Sequence, residues 1–253
     1  MNVLITGGRG FLASHLEKTF RLKGYTVTNV SRSTNPSFES ILKSEESYDF
    51  YIHTAGLSSD SPFTDPKSYF VSNFDLTTVL FSRFAKDKGA KRFIFISSIH
   101  VINETHEATA YVQSKALAEE FLTNNKNERI HILRPALICS PPESRGILGP
   151  LKSLAQKGIG IRFPKGFGMS WVSLKTVTDT ILNLMEEKNT RQVLNLVDAR
   201  ADLNNPKKWL LDFDVQSIKV ILPIPLLLLR IFSVIGQAFR LPFNKYFFKK
   251  LQL

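Results

Sequence analysis

Cysteine is almost absent: Cys139 stands alone in 253 residues. One thiol cannot build a disulfide framework or a cysteine-rich zinc site, and it fits a reducing compartment as a small buried hydrophobe. Acidic side chains are in deficit, 22 against 33 lysines and arginines, which leaves a formal net charge of +11. That imbalance calls for an anionic partner: a nucleotide substrate, a phosphorylated cofactor, nucleic acid or an anionic membrane. Nucleic acid is set aside, because no zinc finger, helix-turn-helix signature or aromatic RNA-binding motif is present. His15, His53, His100, His106 and His131 show no metal-ligand spacing, so no metal is expected. There is no internal repeat and no low-complexity tract. The N-terminal apolar run is too short for a secretory signal and opens a strand instead, so a cytoplasmic protein is expected.

What is present begins at Met1. Asn2 to Thr6 is a short apolar run of the kind that forms a buried parallel strand. Gly7, Gly8 and Gly10 follow, and Phe11 to Phe20 reads as a helix. Strand, glycine turn and helix together are the setting in which a glycine pattern signifies dinucleotide binding. The turn lets the backbone approach a pyrophosphate, and the helix N-terminus offers N–H groups and partial positive charge. Arg9, Phe11 and Leu12 share that turn with Gly7 and Gly10, and all five are taken as cofactor-binding. Ala13 stands where a third glycine often sits and is small enough for close helix–strand packing.

A second strand, Tyr25 to Val30, ends at Ser31-Arg32-Ser33, where the adenosine ribose is read. An acid there would accept from a 2′-hydroxyl, and none is present; Arg32 suits a 2′-phosphate instead. NADP(H) is therefore favoured over NAD(H). Phe38 to Ser47 reads as a helix, and the next strand, Tyr48 to Thr54, arrives so early that a usual intervening strand is missing. Thr54-Ala55-Gly56 closes that strand with residues small enough for a cofactor to lie across. Ser58 falls in the loop Leu57 to Thr64, which faces a ligand on this reading. Asp65 to Lys88 gives a long helix, on which Asn73 reads as a surface amide. Lys91 to Ser98 is the clearest strand and puts Ser98 at a carboxyl end, where open α/β sheets bind ligands. Ala110 to Asn124 is helical. Ile130 to Arg134 is a strand closed by Pro135, and Ala136 to Pro142 reads as a loop. Glu143 to Trp171 reads as an inserted lobe, Val172 to Glu187 as a helix, and Gln192 to Val197 as the last strand.

Ser98, Tyr111 and Lys115 carry the chemistry. Tyr111 and Lys115, four apart on a helix, share one face. Free tyrosine, with a pKa of about 10, is a poor base at neutral pH. An ammonium ~4 Å away at an effective dielectric near 20 offers about 4 kcal/mol, or about three pKa units, before screening. That brings the phenol within range of proton exchange with a sugar hydroxyl. Ser98 can hydrogen-bond the same oxygen. A lone Tyr-x-x-x-Lys is common on helices; the upstream glycine turn and the strand-ending serine make the combination specific.

At this point the chain resembles the extended short-chain dehydrogenase/reductases of the NAD-dependent epimerase/dehydratase group, which act on nucleotide sugars. The residues that carry the likeness are Thr6 to Ala13, His53-Thr-Ala-Gly56, Ser97-Ser-Ile-His-Val101, Tyr111-Val-Gln-Ser-Lys115, Leu133-Arg-Pro-Ala-Leu-Ile138 and Trp171 to Asp179, and they span residues 1 to about 198. The resemblance implies an α/β fold, a Rossmann-type doubly wound parallel sheet with a small, partly α-helical C-terminal substrate lobe. It implies a cofactor domain over 1–142 plus 172–198 and a reduced lobe over 143–171 plus 199–253. It makes Ser98, Tyr111 and Lys115 the catalytic triad and has the loop with Pro135 and Ile138 flank the nicotinamide; Lys115 can also reach the nicotinamide ribose, and Ser58, His100 and Arg145 are the expected nucleotide-sugar contacts. A homodimer through the two long helices follows from the same likeness. Dehydratases of the group carry an Asp-Glu pair just after the catalytic hydroxyl residue, whereas Ser98 is followed by Ile99 and His100, so dehydration is set aside. Two readings remain for a precursor of surface polysaccharide: a 4-epimerase, or a 4-keto-sugar reductase. A catalytically idle cofactor sensor or scaffold on the same fold is the alternative from another class.

The stretch Ile218 to Leu253 differs in character. Pro223-Ile-Pro225 leads into an apolar helix over Leu226 to Phe239, with a narrow polar stripe of Arg230, Ser233, Gln237 and Arg240. Phe243 to Lys250 is aromatic and basic. Its uncharged length falls short of the about 20 residues a membrane span needs. It reads first as a buried helix of the lobe. The second reading is an interfacial anchor, with Lys245, Lys249 and Lys250 meeting anionic headgroups and the protein peripheral at the inner face of the membrane.

Overall fold

The computed structural model describes residues 1–57, 64–103, 108–139, 148–186, 193–215 and 218–238. The chain opens with β1 (Asn2–Thr6), α1 (Phe11–Leu22), β2 (Thr26–Val30), α2 (Phe38–Lys43) and β3 (Phe50–His53). A helical stretch follows, composed of α3 (Pro66–Tyr69), a π-helical turn over Phe70–Asp75 and α4 (Leu76–Lys86). Then come β4 (Arg92–Ile96), a 3-10 turn over Ile99–Asn103, α5 (Ala110–Asn124) and β5 (Ile130–Pro135). Further on lie β6 (Leu137–Cys139), α6 (Leu148–Gln156), β7 (Ile159–Arg162), β8 (Gly168–Ser173), α7 (Leu174–Glu186) and β9 (Val193–Leu196). The last elements are β10 (Ala199–Asp202), α8 (Pro206–Trp209), a 3-10 turn over Leu210–Phe213, β11 (Val220–Pro223) and α9 (Leu226–Ala238).

These elements form two compact units, one from residues 1–60, 64–135 and 177–196, the other mainly from 136–176 and 197–253. The first is built on a six-stranded sheet in the order β2-β1-β3-β4-β5-β9. Every pairing in it is parallel. Strands buried on both faces read as continuous apolar runs, which is why Val3-Leu-Ile5 and Phe93-Ile-Phe-Ile96 stood out in the sequence. Strand order reverses at β1, with β2 on one side and β3 on the other, and the crevice at that switch point is where such sheets bind ligands. The helix α1 packs Leu12, Ala13, Leu16 and Phe20 inward, the spacing of one helical face. A phenylalanine-rich cluster, with Phe81, Phe84, Phe93 and Phe95 beside Tyr51, fills the core under α4 and α5. Between Val30 and Phe50 the chain makes only α2, so β2 is an edge and the expected missing strand is indeed absent there.

The second unit holds a three-stranded sheet, β10-β8-β6, and a two-stranded one, β11-β7. Its core gathers Trp209, Leu210 and Phe213 with Phe163, Phe167 and the buried Cys139. Three of its strands correct the sequence reading: β6 lies in the expected loop, and β10 and β11 follow what was expected to be the last strand. Each is three or four residues long, too short for alternation to register.

Candidate active site

The glycine turn is fixed by three backbone bonds. Gly7 and Gly8 N–H both donate to the Val30 carbonyl, at 2.9 and 3.0 Å, and Gly10 N–H donates to the Gly7 carbonyl at 2.6 Å. Gly7 has φ of +95°, and a Cβ there would lie 2.6 Å from Thr54 Oγ1 and 2.9 Å from Ala55 N. No other residue fits between the ends of β1 and β3. Thr54 Oγ1 in turn donates to the Thr6 carbonyl at 2.7 Å, so the expected residues Gly7, Thr54 and Ala55 come together. Gly10 caps α1 without a side-chain acceptor, and the first turn, with Phe11 and Leu12, holds no acid. A helix start with no side-chain cap and no acid in its first turn suits a pyrophosphate.

At the end of β2, Ser31 N–H donates to Thr34 Oγ1 at 2.6 Å, and the Thr34 hydroxyl donates to the Pro36 carbonyl at 2.9 Å. This closed turn leaves Arg32 exposed. Arg9 is exposed as well, and neither guanidinium is spent on an ion pair among the described residues.

Ser98 follows β4 and is buried, its Oγ accepting the His100 N–H at 3.3 Å. Tyr111 is buried in the first turn of α5, where Thr109 caps the helix by accepting the Val112 N–H. Its ring packs edge-on against Tyr69 with centroids 6.3 Å apart. Lys115, one turn on, is only 4 % exposed. Its Nζ donates to the Ile96 carbonyl at 2.9 Å and sits 4.7 Å from the Phe95 ring centroid. Ile96 is two residues upstream of Ser98, so the bond moors the lysine at the carboxyl end of β4. Burial pulls the ammonium down to about 8, against the opposing pull of the Glu119 carboxylate. At neutral pH it is still mostly charged.

Asn73 corrects the sequence reading most sharply. It is fully buried, not a surface amide. The π-helical turn inserts an extra residue into the helix and swings Asn73 inward. Its Oδ1 accepts the Leu57 N–H at 2.8 Å, and its Nδ2 donates to Ser114 Oγ at 3.0 Å. Gly56, at φ +135°, makes room: a Cβ there would be 2.2 Å from Asn73 Oδ1. Asn73 thereby ties the β3 loop to α5, between Tyr111 and Lys115. Sequence reasoning found the residue but not its role, because a π-turn leaves no mark on periodicity.

His53 is fully buried as well. Its Nε2 meets Thr77 Oγ1 at 3.0 Å and its Nδ1 meets Thr6 Oγ1 at 2.6 Å. Thr77 donates its only hydroxyl proton to the Asn73 carbonyl at 2.7 Å, so it accepts from His53. The ring is therefore the Nε2–H tautomer, with Nδ1 accepting from Thr6. Burial, with Lys115 adding like charge, pushes the imidazole down to about 3. The unfolded chain takes up this proton near pH 6.5 and the folded chain does not until about 3. Stability is thus full above pH 6.5 and falls as pH drops through that window, by up to about 1.4 kcal/mol per unit. Urea titrations from pH 7 to pH 4 should show the decline, and His53→Gln should flatten it; an equal slope in the variant would assign the proton elsewhere.

His100 is half-buried, Pro135 ends β5, and Ile138 lies in β6 of the second unit. Ser58, Arg145 and His106 lie outside the described residues. Among the described residues no cluster of His, Cys, Asp or Glu could hold a metal ion.

Residues 3–149 match the model of the NAD dependent epimerase/dehydratase family. A UDP-glucose 4-epimerase of Vibrio cholerae is 26 % identical over 246 residues, which is 80 % of this chain and 72 % of the relative. Among solved structures, the human epimerase family protein SDR39U1 with NADPH superposes with a TM-score of 0.73 at 17 % identity, over 96 % of this chain and 86 % of that one. A UDP-glucose 4-epimerase from Thermotoga maritima with UDP-glucose gives 0.65 at 21 % identity, over 89 % and 87 %. These two structures share the parallel-sheet fold with this chain.

Proposed function

The chain belongs to the NAD dependent epimerase/dehydratase family, and from that premise we propose that it oxidises or reduces C4 of a nucleotide sugar, with NADP(H) preferred over NAD(H). The observation that carries this most is the buried Lys115, moored to the Ile96 carbonyl one turn from Tyr111. A cation held out of water is an expensive feature that pure structure does not require, and it favours the phenolate of Tyr111. In the reductive direction the Tyr111 hydroxyl gives its proton to the C4 oxygen, and Ser98 Oγ hydrogen-bonds that oxygen as charge develops. In the oxidative direction Tyr111 takes the proton back. The His100 side chain, with Ser58 and Arg145, contacts the substrate.

The residues present suit a nicotinamide dinucleotide. The glycine turn and the acid-free start of α1 would take its pyrophosphate, and Arg32, with Arg9 beside the turn, its 2′-phosphate. When bound, that group supplies the hydride chemistry. The choice between a reductase and an epimerase rests on whether it exchanges. Arg32 supports the reductase; the likeness to the Vibrio cholerae 4-epimerase supports the epimerase.

The test is to denature freshly purified protein, identify any released nucleotide, and titrate the empty protein with NADPH and NADH. We expect NADPH to bind more tightly and Arg32→Ala to cost about tenfold in NADPH affinity, as loss of one exposed charge-assisted contact should. NADH affinity should barely move. Tightly retained NAD with no effect of Arg32→Ala would reverse the cofactor assignment and favour the epimerase. Binding of neither would favour an idle scaffold.

A further inference from the structure

Large apolar side chains exposed among the described residues are not spread evenly: seven of them lie between Val220 and Val234, all in the second unit. The helix α9 is held to that unit's core by Leu229, which is 4 % exposed. Leu227, Ile231 and Val234 recur at spacings of four and three and form one stripe on the side away from Leu229. Leu227 is 67 % exposed and Val234 is 69 %. Val220 and Leu222, two apart on β11, add a second exposed apolar pair. A stripe of large exposed apolar side chains along one helix face marks a docking face rather than scattered exposed residues.

Charge identifies what docks there. From Val215 to Leu253 the sequence holds Lys219, Arg230, Arg240, Lys245, Lys249 and Lys250 and no acid at all. Phe239, Phe243, Tyr246, Phe247 and Phe248 alternate with these cations. A second copy of the chain would set this cationic stretch against itself. An anionic lipid surface meets both features, because its headgroups take the cations and its acyl boundary takes the apolar stripe. No helix among the described residues is long and apolar enough to cross a membrane. We propose that α9 and the apolar edge of β11 dock this protein on anionic membrane, independently of the reaction it catalyses.

Flotation of the full chain with vesicles of equal phosphatidylcholine and phosphatidylglycerol, against phosphatidylcholine alone, tests this. The protein should float with the anionic vesicles at low salt and less at high salt. Ile231→Glu with Val234→Glu should lower partitioning roughly tenfold or more, with circular dichroism and melting temperature unchanged, because both side chains face solvent. Leu227→Glu should act in the same direction and serves as the second variant if the double one fails to fold. Absence of flotation at low salt, or equal flotation of folded variants, overturns the proposal. So does a wild-type dimer that the double variant turns into a monomer, which would give the face to a second copy.

Discussion

Tyr111→Phe should lower turnover by about 10²- to 10⁴-fold, the usual contribution of a positioned acid–base group, while leaving the fold and cofactor affinity intact. The substitution removes one oxygen and keeps the ring, so the edge-on packing against Tyr69 at 6.3 Å survives. The α5 cap at Thr109 and the mooring of Lys115 to Ile96 do not involve the phenol. What is lost is the only atom proposed to exchange a proton with the sugar oxygen. The check is kcat for the nucleotide sugar that the wild type converts, alongside dinucleotide binding and a thermal melt of the same preparation. Unchanged kcat would move the proton to another group. A fall in kcat that came with a lower melting temperature would show that the variant had damaged packing instead of chemistry.

How much of this was legible in the residues depends on the range over which each signal acts. The glycine turn, the apolar run of β4 and the Tyr-x-x-x-Lys pair are local patterns with fixed spacing, and the structure sets them in the elements their periodicity required. The missing strand between β2 and β3 was legible too, because Phe38 to Ser47 reads as a helix and the next strand follows at once. Asn73 was not. Its burial depends on one extra residue in a helical turn, and its partners Leu57 and Ser114 lie 16 and 41 residues away. His53 belongs to a family-like segment, yet its tautomer depends on Thr6 and Thr77, 47 and 24 residues distant. Residues that act through partners far along the chain become visible only when the sheet brings those partners together.

Glu119 is the strongest instance, and its removal should be the most destabilising single change outside the apolar core. On sequence alone it is one of two adjacent acids on a helix. In the structure it is 5 % exposed and accepts from Arg134 Nε at 2.9 Å and Nη2 at 2.5 Å, and from the Ser97 hydroxyl. Alanine would leave a largely buried guanidinium and a buried hydroxyl without an acceptor. Breaking a buried pair by removing one partner costs about 3–5 kcal/mol, far more than the pair itself is worth relative to apolar residues. At about 2–4 °C per kcal/mol for a chain of this size, the melting temperature should drop by about 10 °C or more. Glu119→Gln keeps the shape and one acceptor and should lose less. It serves a second purpose, because the Glu119 carboxylate is what holds the Lys115 ammonium up against burial. Without that charge the lysine titrates below about 8, so it becomes neutral at lower pH. The alkaline limb of the Glu119→Gln pH–kcat profile should therefore shift to lower pH, with little change on the acid side. A stable variant with an unmoved profile would confine Glu119 to structure; a destabilised variant with a shifted profile would tie the buried ion pair to the proton chemistry at Tyr111.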